Sequence, residues 1–164
     1  MSIYDELRYR VNQGDLFLLE APKNERMVRE MYLSDELNYM VNDLENEWGM
    51  AVRAYMERFV KGTRIPLRMP SSGEPSAFMS LLDDKKDEVW EIRVRDPEPQ
   101  LRVFGRFAAK DKFVALRFWT REEVTGKFEI AKEDCKADWH HLFPHDKPFS
   151  GRTVYDYASN SFAV

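Results

Sequence analysis

The sequence predicts an α+β fold, with a three-stranded antiparallel meander and an earlier first strand packed on an N-terminal helical pair, followed by a C-terminal helix and tail. Two observations predict it. Between Glu88 and Arg121, apolar and polar residues alternate in three runs separated by turn residues. Between Ser34 and Val60, apolar residues recur at the spacing of amphipathic helices.

The first run places Trp90, Ile92 and Val94 on one face and Glu91, Arg93 and Arg95 on the other. Asp96-Pro97-Glu98-Pro99 ends it, because proline donates nothing to a ladder and pre-sets turn geometry. In the second run Leu101, Val103, Gly105 and Phe107 alternate with Arg102, Phe104 and Arg106. Ala109-Lys110-Asp111-Lys112 forms the next turn, and Val114, Leu116 and Phe118 then alternate with Ala115, Arg117 and Trp119. One face is apolar and fits helices. The other carries an arginine from every strand, a surface suited to a polyanion or an acidic protein tail.

Ser2 caps a short helix to Val11, with Ile3, Leu7 and Val11 on one stripe. Leu16–Leu19 reads as a strand or buried coil, and Arg26–Leu33 as the first strand. Ser34 caps a helix in which Leu37, Met40, Val41, Leu44 and Trp48 share a face. Gly49 marks a break, Val52 to Val60 resume the helical spacing, and Gly62 stops them. Thr63–Pro75 reads as loop because of Pro66, Pro70, Gly73 and Pro75. Ala77–Leu82 reads as a turn of helix. Ile130–Phe143 is helical, with Ala131, Cys135, Trp139, Leu142 and Phe143 on one stripe and Pro144 as its stop.

At 164 residues the chain is expected to form one domain: an extension over 1–26, a core over 27–121, and a helix and tail over 122–164. One cysteine permits no internal disulfide and suits a reducing compartment. No apolar run approaches the ~18 residues of a membrane span, so the expected location is the cytoplasm, away from membranes. The net charge of −4 sets the chain apart from dedicated nucleic-acid binders, which are basic overall. From Glu88 to Arg121, however, eight Lys/Arg stand against five Asp/Glu, so the meander is locally positive.

Three short texts carry a family resemblance. Glu88-Val89-Trp90-Glu91-Ile92-Arg93-Val94, Arg102-Val103-Phe104-Gly105-Arg106-Phe107 and Phe113-Val114-Ala115-Leu116-Arg117-Phe118 resemble the three meander strands of the RelE/ParE/HigB toxin superfamily. Met27–Leu33 resembles its first strand. The resemblance spans roughly residues 27–121 and implies the toxin of a toxin–antitoxin system, partnered by a cognate antitoxin. RelE-like and HigB-like members cleave mRNA on the ribosome, and ParE-like members poison DNA gyrase, so the fold alone leaves the target open. The chain departs from the nuclease members in being larger and acidic, and in following its third strand with Thr120-Arg121-Glu122-Glu123 instead of a lysine-rich stretch.

Metal-independent RNA cleavage needs a group to accept the ribose hydroxyl proton, cations to stabilise the phosphorane-like state, and an acid for the leaving oxygen. Arg93, Arg95, Arg102, Arg106 and Arg117 offer the charge. Tyr157, with Tyr155, His140, His141 and His145 as alternatives, offers proton transfer if the tail folds back. The competing reading makes these arginines ordinary exposed strand residues paired with Glu91, Glu98 or Asp111.

Gln100-Leu101-Arg102-Val103-Phe104 also resembles the pentapeptide that binds the bacterial sliding clamp. Gln100 would fill a polar subsite, and Leu101, Val103 and Phe104 an apolar one. Adjacent histidines on a helix point about 100° apart, which disfavours a metal site at His140 and His141. Cys135 reads as a buried structural thiol, and no motif implies a cofactor or metal. The expected function is thus growth inhibition through ribosome-linked mRNA cleavage. The alternatives are a non-enzymatic replication inhibitor bound to the sliding clamp, and a phage protein that keeps the fold without toxicity.

Overall fold

The structure is a computed structural model and describes residues 1–70 and 76–164. The predicted breakers Gly73 and Pro75 lie outside the described residues. The architecture is α+β, built on a mixed sheet of eight strands among the described residues.

The meander forms as the alternation predicts. β5 (Trp90–Val94) pairs antiparallel with β6 (Leu101–Ala109), and β6 with β7 (Lys112–Thr120). Trp90, Ile92 and Val94 are buried. The first strand is shorter than expected: β2 (Glu30–Leu33) pairs in parallel with β7, and β1 (Phe17–Leu18) closes that edge.

The other half of the sheet corrects the sequence reading. Residues 63–75 read as loop, yet Ile65–Arg68 forms β3. Pro66 has no N–H to give, but its carbonyl accepts from the Phe78 N–H at 2.8 Å. Ala77–Leu82 read as helix, yet Met79–Leu81 forms β4, parallel to β3 and antiparallel to β5. Both faces of β4 are buried, so its sequence lacks the alternation that separates a strand from a helical turn. Ser161–Ala163 of the tail adds β8 outside β3, giving the order β1-β2-β7-β6-β5-β4-β3-β8.

Helices cover both faces. α2 (Asp35–Asn42), α3 (Glu47–Lys61) and α6 (Val154–Tyr157) bury Leu37, Val52, Met56, Phe59, Val154 and Tyr157 against Met31, Trp90, Ile92, Val103 and Phe107. α1 (Ile3–Asn12) and α5 (Phe128–Leu142) bury Leu7, Ala131, Cys135 and Trp139 against Tyr32, Phe104, Val114 and Leu116. The short α4 (Arg121–Val124) joins β7 to α5 and is closed by a Thr120–Glu123 capping box. No helix among the described residues is long and apolar enough to cross a membrane.

The face bearing the arginines is therefore a second core over much of its length. Val114 and Leu116 belong to it, although alternation put them on the face of Trp90. Phe104 pairs with Arg117 but Gly105 with Ala115, so β7 carries an extra residue there. A bulge of this kind shifts the facing of a strand, and no periodicity reveals it.

Two glycines serve close approach. Gly49 does not break a helix; it lies inside α3, and a Cβ there would sit 2.1 Å from the Met40 carbonyl oxygen of α2. The break comes earlier, where the Asn46 side chain caps α3 and Leu44 stands exposed. At Gly105 a Cβ would lie 2.2 Å from the Val114 carbonyl oxygen and 2.7 Å from the Phe113 ring. Gly105→Ala is expected to lower stability by about 3 kcal/mol through forced displacement of the bulged strand. Denaturant unfolding measures this, and a change below about 0.5 kcal/mol, the range of innocuous surface substitutions, would contradict the packing.

Candidate functional site

The arginines sort into three environments. Arg117 is tied to α5, donating to both carboxylate oxygens of Asp138, with Asp134 at 3.8 Å. The Asp138 hydrogen bonds raise its pKa above the ordinary arginine value. Arg106 is buried beneath the same helix, where it donates to the Asp87 carbonyl and lies over the Trp139 ring. Neither joins the remaining arginines.

Arg93 and Arg102 face each other across β5 and β6, with Trp119 next in register on β7. Arg93 donates to Glu91 Oε1 at 2.8 Å, and Arg102 Nε stands 3.7 Å from Glu91 Oε2. Glu91 itself is buried. Burial first lowers the Arg102 pKa; Glu91 pulls it up, while Arg93, Arg121 and Arg95 push it down. Arg93 and Arg102 thus share one buried carboxylate, and Arg95 and Arg121 lie within electrostatic reach of Arg102. Arg95 donates to the Ala77 carbonyl at 3.2 Å, and the Arg121 N–H donates to the Gln100 carbonyl, which ties the start of α4 to the start of β6.

The strands missed in the sequence extend this patch. Register aligns Arg68 of β3 with Ser80 of β4, and Ser80 with Glu91. Arg68 Nε, Ser80 Oγ, Glu91 Oε2 and Trp119 Nε1 are all buried and without a hydrogen-bond partner among the described residues. Glu91 Oε2 keeps its ion pair with Arg102; an unpaired buried polar group costs about 1–3 kcal/mol, and the other three on one sheet face make a candidate binding strip. Arg68 Nε and Trp119 Nε1 only donate and Ser80 can donate, so the strip suits a ligand rich in acceptor oxygens. Arg68 and Ser80 lay hidden in the sequence because their strands did; no local motif marks them.

The remaining candidates lie away from the strip. Tyr157 lies on the opposite face, fully buried, donating to Glu88 Oε2 at 2.7 Å and accepting from the Gly151 N–H at 2.9 Å. Burial, then the Glu88 bond, pushes its hydroxyl pKa up, so it is no proton shuttle for the arginine strip. Tyr155, His140, His141 and His145 are exposed and line no part of that strip. Among the described residues, no three His, Cys, Asp or Glu converge to hold a metal ion. Burial pushes the Cys135 thiol up to about 12, which makes it inert as a nucleophile.

Gln100 is half-buried and accepts from Arg102 at 3.3 Å. Leu101 and Val103 pack into the core under α2 and α3, while Phe104 is fully buried under α5. The pentapeptide's apolar side chains therefore point to opposite faces and are not presented to a partner. No protein-family model, curated protein or solved structure matches the chain.

Tyr157→Phe removes a buried hydroxyl from Glu88 and Gly151. It is expected to cost about 2 kcal/mol of stability while leaving any activity of the strip intact. Unfolding curves and an RNA-binding assay on the same variant check both; lost binding in a fully stable variant would contradict the assignment.

Proposed function

We propose that the chain is a RelE-like growth inhibitor that holds an RNA backbone on the Arg93–Arg102 strip and cleaves it without a metal. The observation that carries this reading is the pairing of Arg93 and Arg102 on Glu91, with Arg95 and Arg121 within electrostatic reach of Arg102, beside donors on Arg68 and Trp119 that have no hydrogen-bond partner among the described residues. Arginine forks match phosphate oxygens, and a partly dry setting strengthens that interaction. The overall negative charge does not oppose it, because an exposed charge more than about 10 Å away is largely screened at ordinary salt. The family resemblance supplies the reaction. The ribose hydroxyl attacks the neighbouring phosphate and gives its proton to solvent, while Arg93 and Arg102, held in place by Glu91, stabilise the added charge. Solvent returns a proton to the leaving oxygen.

The decisive comparison is between wild type and an Arg93→Ala/Arg102→Ala double variant, in single-stranded RNA binding and in growth arrest on expression. Binding is expected to weaken about tenfold for each charge-assisted hydrogen bond removed, and growth to recover. Equal binding by a folded double variant overturns the reading. Arrest of DNA synthesis before translation, relieved by Gln100→Ala, would instead favour the sliding-clamp alternative, with the start of β6 unpaired to expose the motif.

A further inference from the structure

Arg106 lies on the same sheet face as Arg102, beyond Phe104, and opens a separate site. A groove of about 530 Å³ runs between the C-terminal half of α5 and residues 144–148. Arg106 lines its floor at 7% exposure, with Nε buried and unpaired among the described residues. Its other end is fixed: one nitrogen donates to the Asp87 carbonyl, and the guanidinium lies 5.6 Å from the centre of the Trp139 ring.

The walls are held in place. Trp139 Nε1 donates to the Asp146 carbonyl at 2.9 Å, and the Phe149 N–H donates to the Phe107 carbonyl at 2.7 Å. The segment carrying His145 and Lys147 is thereby pinned to α5 at one point and to the sheet at the next. Of the basic side chains lining the groove, Lys136 is already paired with Asp87 and Glu133. No ion pair is present for His140, His145 or Lys147 among the described residues. Glu133 and Asp146 are the opposing carboxylates, and the first is held by Lys136.

We propose that this groove binds a phosphomonoester. Arg106 receives the phosphate at the floor, while Lys147 and the two histidines close over it from the rim. A desolvated guanidinium with an unused donor gains most from an anion with several acceptor oxygens. Trp139, Pro144 and Pro148 give the groove an apolar side against which an attached organic group can lie. The site is independent of the proposed function, because α5 and Phe104 separate it from the Arg93–Arg102 strip.

Calorimetric titration of the full chain with inorganic phosphate, AMP and adenosine tests it. Phosphate and AMP are expected to bind and adenosine not to. Lys147→Glu and Arg106→Gln should each weaken AMP binding about tenfold. Lys147 is exposed, so its variant stays folded, which circular dichroism verifies, even if Arg106→Gln does not. The Arg93→Ala/Arg102→Ala variant should bind AMP unchanged. In the Arg93→Ala/Arg102→Ala variant, an oligonucleotide phosphorylated at its end that binds tighter than AMP identifies a nucleic-acid terminus as the source; equal affinity identifies a free nucleotide. The proposal is overturned by no binding of phosphate or AMP at millimolar concentration, by unchanged affinity in folded Lys147→Glu, or by loss of AMP binding in the Arg93→Ala/Arg102→Ala variant.

Discussion

All nine residues of β6 are buried, because the sheet is covered on both faces where this strand runs. That constraint shapes everything around it. A central strand that carries Arg102 and Arg106 must desolvate two guanidinium groups, and each then requires partners. Arg106 finds the Asp87 carbonyl and the Trp139 face beneath α5. Arg102 finds Glu91 and Gln100. The bulge opposite Gly105 follows from the same crowding, since it lets Phe104 and Leu116 both turn toward α5 while Phe107 and Ala115 turn toward α3.

The helix over the second face also divides the positive charge. Asp138 and Asp134 on α5 neutralise Arg117, and Asp87 holds Lys132 and Lys136 in place. Burial opposes ionisation of Asp87, but hydrogen bonds from the two lysines outweigh it and lower its pKa. Around Glu91 stand Arg93 and Arg102, bordered by donors on Arg68 and Trp119 that have no hydrogen-bond partner among the described residues. A chain with net charge −4 can in this way present a local site for an anion.

Much of this was legible. The alternation in Trp90–Val94 and Leu101–Phe107 gave the meander, and the stripe from Ala131 to Leu142 gave α5. The Ser2, Ser34 and Gly62 signals set helix ends where the structure has them. What was not legible has identifiable causes. Ile65–Arg68 and Met79–Leu81 are short, one contains proline, and both depend on neighbours distant in sequence. The bulge in β7 reversed the facing of Val114 and Leu116. The alternation around Arg102 and Arg106 looked like a solvated face because polar residues on a strand do not say whether a helix later covers them. The site shares these causes: Arg93 and Arg102 lie side by side, Arg106 and Arg117 lie beneath α5, Tyr157 lies on the opposite face, and Arg68 and Ser80 were missed with their strands.

RNA is proposed to meet the Arg93–Arg102 end of this face and not the part beneath α5. Backbone amide NMR shifts during titration with a short single-stranded RNA test it most directly. Changes concentrated at Arg68, Ser80, Glu91, Arg93, Arg102 and Trp119 are expected, with the amides of Cys135, Asp138 and Tyr157 unmoved. Shifts spread along α5, or centred on Leu101–Phe104 only when clamp protein is added, would contradict it.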